Sequence, residues 1–84
     1  MVALTIYSRP GCHLCEEMKT AVARVSGRVN LDVRVEEIDI STDASLEARY
    51  GTEIPVLLIN GRKVAKYRVS EFELARLIRS RAET

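Results

Sequence analysis

No stretch of this sequence approaches the roughly 20 consecutive apolar residues that a membrane-crossing helix needs, so no membrane span is expected. Charge of one sign is lacking too. With 13 Lys and Arg against 12 Asp and Glu, the net charge of +1 provides no long-range field to steer the chain to nucleic acid. The arginines that do gather, Arg76, Arg79 and Arg81, fall in the last turns of an expected helix, where cations suit the negative end. Only two prolines occur, and 46% hydrophobic against 30% charged residues excludes disordered and collagenous classes. The segment MVALTIYS runs directly into a strand pattern without the charged, apolar and small-residue regions of a signal peptide, so a cytoplasmic localisation is expected. No linker, repeat or low-complexity segment divides the chain, and one domain over 1–84 is expected. Its core should be thin, since a chain this short buries only about 60 to 65% of the surface its unfolded form exposes.

Cysteine and histidine are scarce, yet both cysteines and the sole histidine lie in one stretch, RPGCHLCEEM, from Arg9 to Met18. A Cys12-x-x-Cys15 pair closes so short a loop that bridging it constrains the unfolded chain little. In a reducing cytosol such a pair is more often catalytic or metal-binding than structural.

Val2 to Tyr7 is short, apolar and rich in β-branched residues, which predicts a buried strand ended by SRPG. Leu14, Met18, Ala21, Val22 and Val25 then recur at spacings of three and four, one face of a helix that Ser26-Gly27 should stop. Leu31, Val33 and Val35 alternate as a half-buried strand, and a phase shift at Glu36-Glu37 points to a bulge or to the edge of the sheet. Ser41, Thr42 and Asp43 offer capping oxygens to a short helix closed by Gly51. The apolar run 54–59 reads as a central strand with Pro55 at its start. Asn60-Gly61 is a hairpin turn leading into a returning strand over 63–68. Ser70-x-x-Glu73 is a capping box in front of Phe72, Leu74, Leu77 and Ile78, so the chain should end in a helix. The order β-α-β-α-β-β-α predicts an α/β fold: a four-stranded mixed sheet, its first two strands parallel, flanked by three helices.

The pair therefore lies where a strand hands over to a helix. Free N–H groups and the positive dipole end favour a thiolate there, and such settings lower a cysteine pKa from about 8.5 to roughly 3.5 to 7.5. Cys12, the outer member, is expected to be the nucleophile. Cys15, almost one turn on, is placed to attack the resulting mixed disulfide. Arg9 and His13 are candidates to lower the Cys12 pKa further; the other reading of His13 is an exposed first-turn residue with no task. Pro55 opens a strand on the plain reading and follows a cis bond on the sharper one.

YSRPGCHLC, followed by EIPVLLING, resembles the glutaredoxins of the thioredoxin superfamily, and the likeness in element order spans nearly the whole chain. Arg9 stands where these proteins usually carry lysine, and His13-Leu14 where they carry Pro-Tyr. The resemblance implies a thioredoxin-like fold, Cys12 as nucleophile and Cys15 as resolving thiol. It also implies a cis Pro55 facing the pair, and backbone hydrogen bonds from Ile54 to a bound peptide or glutathione. Two departures bear on glutathione. Val69-Ser70-Glu71-Phe72-Glu73 replaces the Gly-Gly-x-Asp-Asp of glutathione binders, and Glu53 puts a negative charge where threonine is usual. Glutathione is therefore expected to bind weakly or not at all, and no other cofactor is required.

Other classes remain open at this point. A closed zinc site needs four ligands, more than Cys12, Cys15 and His13 supply in one chain, but a dimer would double the cysteines for a metal or an iron-sulfur cluster. Small copper chaperones share the CxxC position, but their order, β-α-β-β-α-β, ends in a strand. A redox-silent binding module would keep the same fold. The expected partners of an oxidoreductase are a disulfide-containing protein or small thiol and a reductase or thiol electron donor, with the chain itself monomeric.

Overall fold

The computed structural model describes residues 1–82. Its elements are β1 (Val2–Ser8), α1 (His13–Arg28), β2 (Val33–Asp39), a 3-10 turn (Ile40–Thr42), α2 (Ala44–Tyr50), β3 (Val56–Ile59), β4 (Arg62–Lys66) and α3 (Glu71–Ala82). The sheet order is β2-β1-β3-β4, with β1 and β2 parallel and both other pairs antiparallel. This is the expected β-α-β-α-β-β-α arrangement, and it places β1 and β3 inside.

Alternation along β1 builds two cores. Val2, Leu4 and Ile6 meet Leu57 and Ile59 of β3, Met18, Val22 and Val25 of α1, and Leu74 and Ile78 of α3. Tyr7, on the other face, joins Ile40, Tyr50, Val56 and Leu58. Its ring lies 4.7 Å from that of Tyr50. Two long helices thus cover one face and the short α2 the other. Asp43 caps α2 by accepting from the N–H groups of Ser45 and Leu46. Asn60 and Gly61 both take positive φ, 50° and 83°, as the two-residue hairpin demands.

Several expectations need correction, and one open alternative is decided. Ser26-Gly27 does not end α1, which continues to Arg28. Burying Val25 and Val29, whose backbones are bonded at 3.0 Å, outweighs the ~1 kcal/mol a helical glycine costs. Leu31 lies outside β2 and is exposed, because the strand starts only at Val33. Of the two explanations for the phase shift at Glu36-Glu37, the edge position holds, since β2 lies at the edge of the sheet and follows β1 without a break; the register shift falls between β3 and β4. The returning strand stops at Lys66, because Tyr67 adopts a φ of 68° and turns its N–H to the Pro55 carbonyl. Finally, Phe72 is 81% exposed, two residues and so about 200° around α3 from the buried Leu74. Only half of the capping box forms: the Glu73 N–H donates to Ser70 Oγ, while the Glu73 carboxylate pairs with Arg76.

A polar clasp fixes α1 against the sheet. The buried Ser8 hydroxyl donates to Glu37 at 2.7 Å, and Lys19 of α1 bridges Glu37 and Glu16 at 3.1 and 3.0 Å. The Ser8 hydrogen bond first, then Lys19, hold the Glu37 carboxyl below its ordinary pKa against the opposing effect of desolvation.

A carboxyl with a depressed folded-state pKa adds stability above its unfolded value of about 4.3, and that stability is lost as pH falls through the folded pKa. Carbon-detected NMR should find Glu37 titrating below the free-glutamate range, and Ser8→Ala should move it upward; an unchanged midpoint would contradict the clasp. Leu74→Ala should cost about 2–5 kcal/mol in urea unfolding, and Phe72→Ala no more than about 0.5. Equal costs would put Phe72 back in the core.

Candidate functional site

The end of β1 delivers the chain to the cysteines through Arg9-Pro10-Gly11. Gly11 has a φ of 77°, a conformation that side chains other than glycine rarely adopt, and it turns the chain into α1. Cys12 follows as the N-cap, with extended backbone, and its carbonyl accepts the Glu16 N–H at 3.2 Å. Its Sγ accepts the backbone N–H of Cys15 at 3.1 Å, so sulfur takes the place of the usual capping oxygen. The two cysteines form a disulfide, with Cα atoms 5.2 Å apart. They are unequal in access: Cys15 is 1% exposed among the core side chains, whereas Cys12 is half-buried.

Pro55 follows a cis peptide bond and is buried. The β1–β3 ladder ends with Tyr7 paired to Val56, so Pro55 stands one residue ahead of it. Ile54 lies ahead of the ladder, which begins at Val56. The Pro55 carbonyl accepts the Tyr67 N–H at 2.8 Å, and the Tyr67 hydroxyl donates to the Thr52 carbonyl at 2.9 Å. Together these bonds tie the 52–55 segment to the loop before α3.

The two expected tuning residues are bonded to carboxylates. The Arg9 guanidinium pairs with Glu47 of α2. The His13 side chain, 89% exposed, places Nε2 3.1 Å from Glu17. The contact made to Cys12 Sγ is the backbone N–H of Cys15. Glu53, expected to repel an anion, is paired with Lys63 at 2.9 Å. That hydrogen bond is the main cause holding its carboxyl below the ordinary value, with Lys66 adding to the effect. Its charge is thus offset locally.

Tyr67 and Arg68, not singled out from the sequence, belong to this region together with the first-turn Glu17. Glu17 bonds His13 on one side and Arg68 on the other, the latter at 3.3 Å. Glu17, Tyr67 and Arg68 line a groove of about 330 Å³ together with Met18, Val69 and Ser70. Neither cysteine lines it; Glu17, one turn beyond His13, connects it to the pair. A signal was present in KYRVS: the returning strand leaves too little chain before the Ser70 cap for Tyr67 and Arg68 to be anything but loop. Among the described residues, no three of His, Cys, Asp and Glu come together to hold a metal ion. No helix among them is long and apolar enough to cross a membrane.

The chain is similar in sequence to curated proteins and in architecture to solved structures. The uncharacterized protein Rv0508 of Mycobacterium tuberculosis is 26% identical over 72 residues, which span 82% of this chain and 74% of that protein. The X-ray structure of target protein XcR50 from X. campestris superposes with a TM-score of 0.76 at 29% identity, covering 92% of this chain and 96% of the other. A mutant thioredoxin from Halobacterium salinarum gives 0.66 at 26% identity, over 94% and 73% of the two chains. The model of the Glutaredoxin-like domain (DUF836) matches residues 3–79. With its thioredoxin-like fold and its CxxC at the strand-to-helix turn, the chain belongs to the Glutaredoxin-like (DUF836) family.

Proposed function

We propose that this chain is a thiol–disulfide oxidoreductase that reduces or exchanges disulfides through Cys12 and Cys15. The reading rests above all on the half-buried Cys12 at the N-cap of α1, joined in a disulfide to the buried Cys15. In the reduced protein, the N–H groups of the first turn and the positive end of α1 favour the Cys12 thiolate. That thiolate attacks one sulfur of a substrate disulfide, forming a mixed disulfide and releasing one substrate thiolate. Cys15, deprotonated, then attacks Cys12 Sγ. The substrate leaves as its second thiolate, and the Cys12–Cys15 disulfide remains. Two electrons and two protons pass to the substrate, and a thiol donor or a reductase returns them. Arg9 and His13, bonded to Glu47 and Glu17, act on Cys12 only through their field.

Burial of Cys15 imposes the order of the two attacks, since a substrate disulfide reaches Cys12 first. Ile54, ahead of the β3 ladder, offers backbone groups to an extended peptide beside Cys12, in the manner of an added strand. Val69 lines the groove beside Glu17 at the position where glutathione binders carry a glycine. A peptide or protein disulfide is accordingly the preferred substrate, and glutathione a poor one.

Reduced Cys15→Ser protein should accumulate a mixed disulfide at Cys12 when given a peptide disulfide, read by intact-protein mass spectrometry. With oxidised glutathione the same adduct should form at least about tenfold more slowly, a difference of ~1.4 kcal/mol in the barrier. Val69→Gly should narrow that gap, while Cys12→Ser should trap neither substrate. Trapping on Cys15 in the Cys12→Ser variant, or equal rates with the two disulfides, would refute the proposed roles.

A further inference from the structure

The two edges of the sheet are treated differently. β4 carries Arg62, Lys63 and Lys66, and an extra residue enters it where Leu57 pairs with Ala65 but Leu58 with Lys63. Charges and bulges of this kind protect an edge against pairing. β2 has no bulge, and its charges are of both signs, Arg34 against Glu36, Glu37 and Asp39. It follows β1 in unbroken register for seven residues, contains no lysine or proline, and exposes Val35 to 48%. A long, regular, open edge is a template for another strand.

The bonding pattern shows which groups that edge offers. Val2 pairs with Val33, and its N–H donates to the Asp32 carbonyl at 2.8 Å. In a parallel ladder, alternate residues direct both backbone groups to the same neighbour. Arg34 and Glu36 therefore bond inward to β1, while the N–H and C=O of Val33, Val35 and Glu37 point out. The side chains of Arg34 and Glu36 share the face that carries α2, opposite the face where Val33 packs on the main core. Neither forms an ion pair or side-chain hydrogen bond among the described residues.

We propose that a second copy of this chain docks on β2 in antiparallel pairing, with the two-fold axis at Val35, to form a continuous eight-stranded sheet. Charge selects both the occupant and the register. With the axis at Val35, Arg34 lies directly opposite Glu36 of the second copy, and Glu36 opposite its Arg34. Val35 meets its own copy and exchanges both outward backbone bonds with it. An axis at Arg34, Glu36 or Glu37 would set like charges against each other. An axis at Val33 would depend on Leu31 and Asp32, outside the strand.

Because β1 and β2 are parallel, Asp39 ends β2 at the edge of the sheet where the cysteine loop begins. The antiparallel copy puts its own Asp39 about 26 Å away, at ~3.3 Å per residue, so the two Cys12 sites lie at opposite ends of the sheet and both stay open. The inference does not depend on the redox reading.

Sedimentation velocity of the full chain from micromolar to millimolar concentration tests the pairing. The wild-type chain should pass from monomer to dimer across this range. Arg34→Glu turns two attractive cross-strand pairs repulsive and should weaken association by at least about tenfold. Arg34→Glu/Glu36→Arg should restore it to within about threefold of wild type. Far-UV circular dichroism checks that both variants fold, which these exposed positions should permit. A wild-type monomer at millimolar concentration, a dimer indifferent to Arg34→Glu, or a charge swap that fails to restore it would each overturn the proposal.

Discussion

Cys15 donates its backbone N–H to Cys12 Sγ at 3.1 Å, and the location of that bond is set from both sides. On one side, β1 is gripped between β2 and β3, with Val2, Leu4 and Ile6 buried, so its last residue has little freedom. On the other, Met18, Val22 and Val25 lock α1 onto the same face. The loop 9–12 must join these fixed ends, and the left-handed turn at Gly11 lets it do so with Cys12 at the cap. Cys15 is one turn into α1, on the stripe that faces the core, and is therefore buried. The difference in access between the two sulfurs follows from helical geometry and needs no further device.

The parts of this fold that were legible in the sequence are those in which a local rule and the tertiary packing agree. β1 is one case, with an apolar run that is buried in fact. Asn60-Gly61 is another, because the hairpin uses the two positive φ angles those residues tolerate. Ser26-Gly27 misled because a helix end is a competition: the local stop signal lost to the burial of Val29. Phe72 misled because hydrophobicity was counted without angle; the stripe through Leu74 and Ile78 excludes it.

For the site, the cysteines and Pro55 were legible but the partners of the charged residues were not. Arg9 meets Glu47 and Glu17 meets Arg68, across 38 and 51 residues of chain. Such pairings depend on how β1, α1, α2 and the loop before α3 are brought together, which no local pattern encodes. Charge in this molecule works at short range. A net charge of +1 conceals a dense set of pairs that tie α1 to β2 through Lys19 and to α3 through Arg28 and Glu71. The charges left out of that set stand out for the same reason, Arg34 and Glu36 on the open edge among them.

The central claim is that the cap position makes Cys12 a reactive thiolate while burial keeps Cys15 in reserve. Alkylation of the reduced protein by iodoacetamide across pH, with each cysteine followed by peptide mass spectrometry, measures both halves of it. The Cys12 rate should rise with a midpoint well below the ~8.5 of a free cysteine, and Cys15 should react far more slowly throughout. A Cys12 midpoint at that free-cysteine value, or a Cys15 that reacts first, would contradict it.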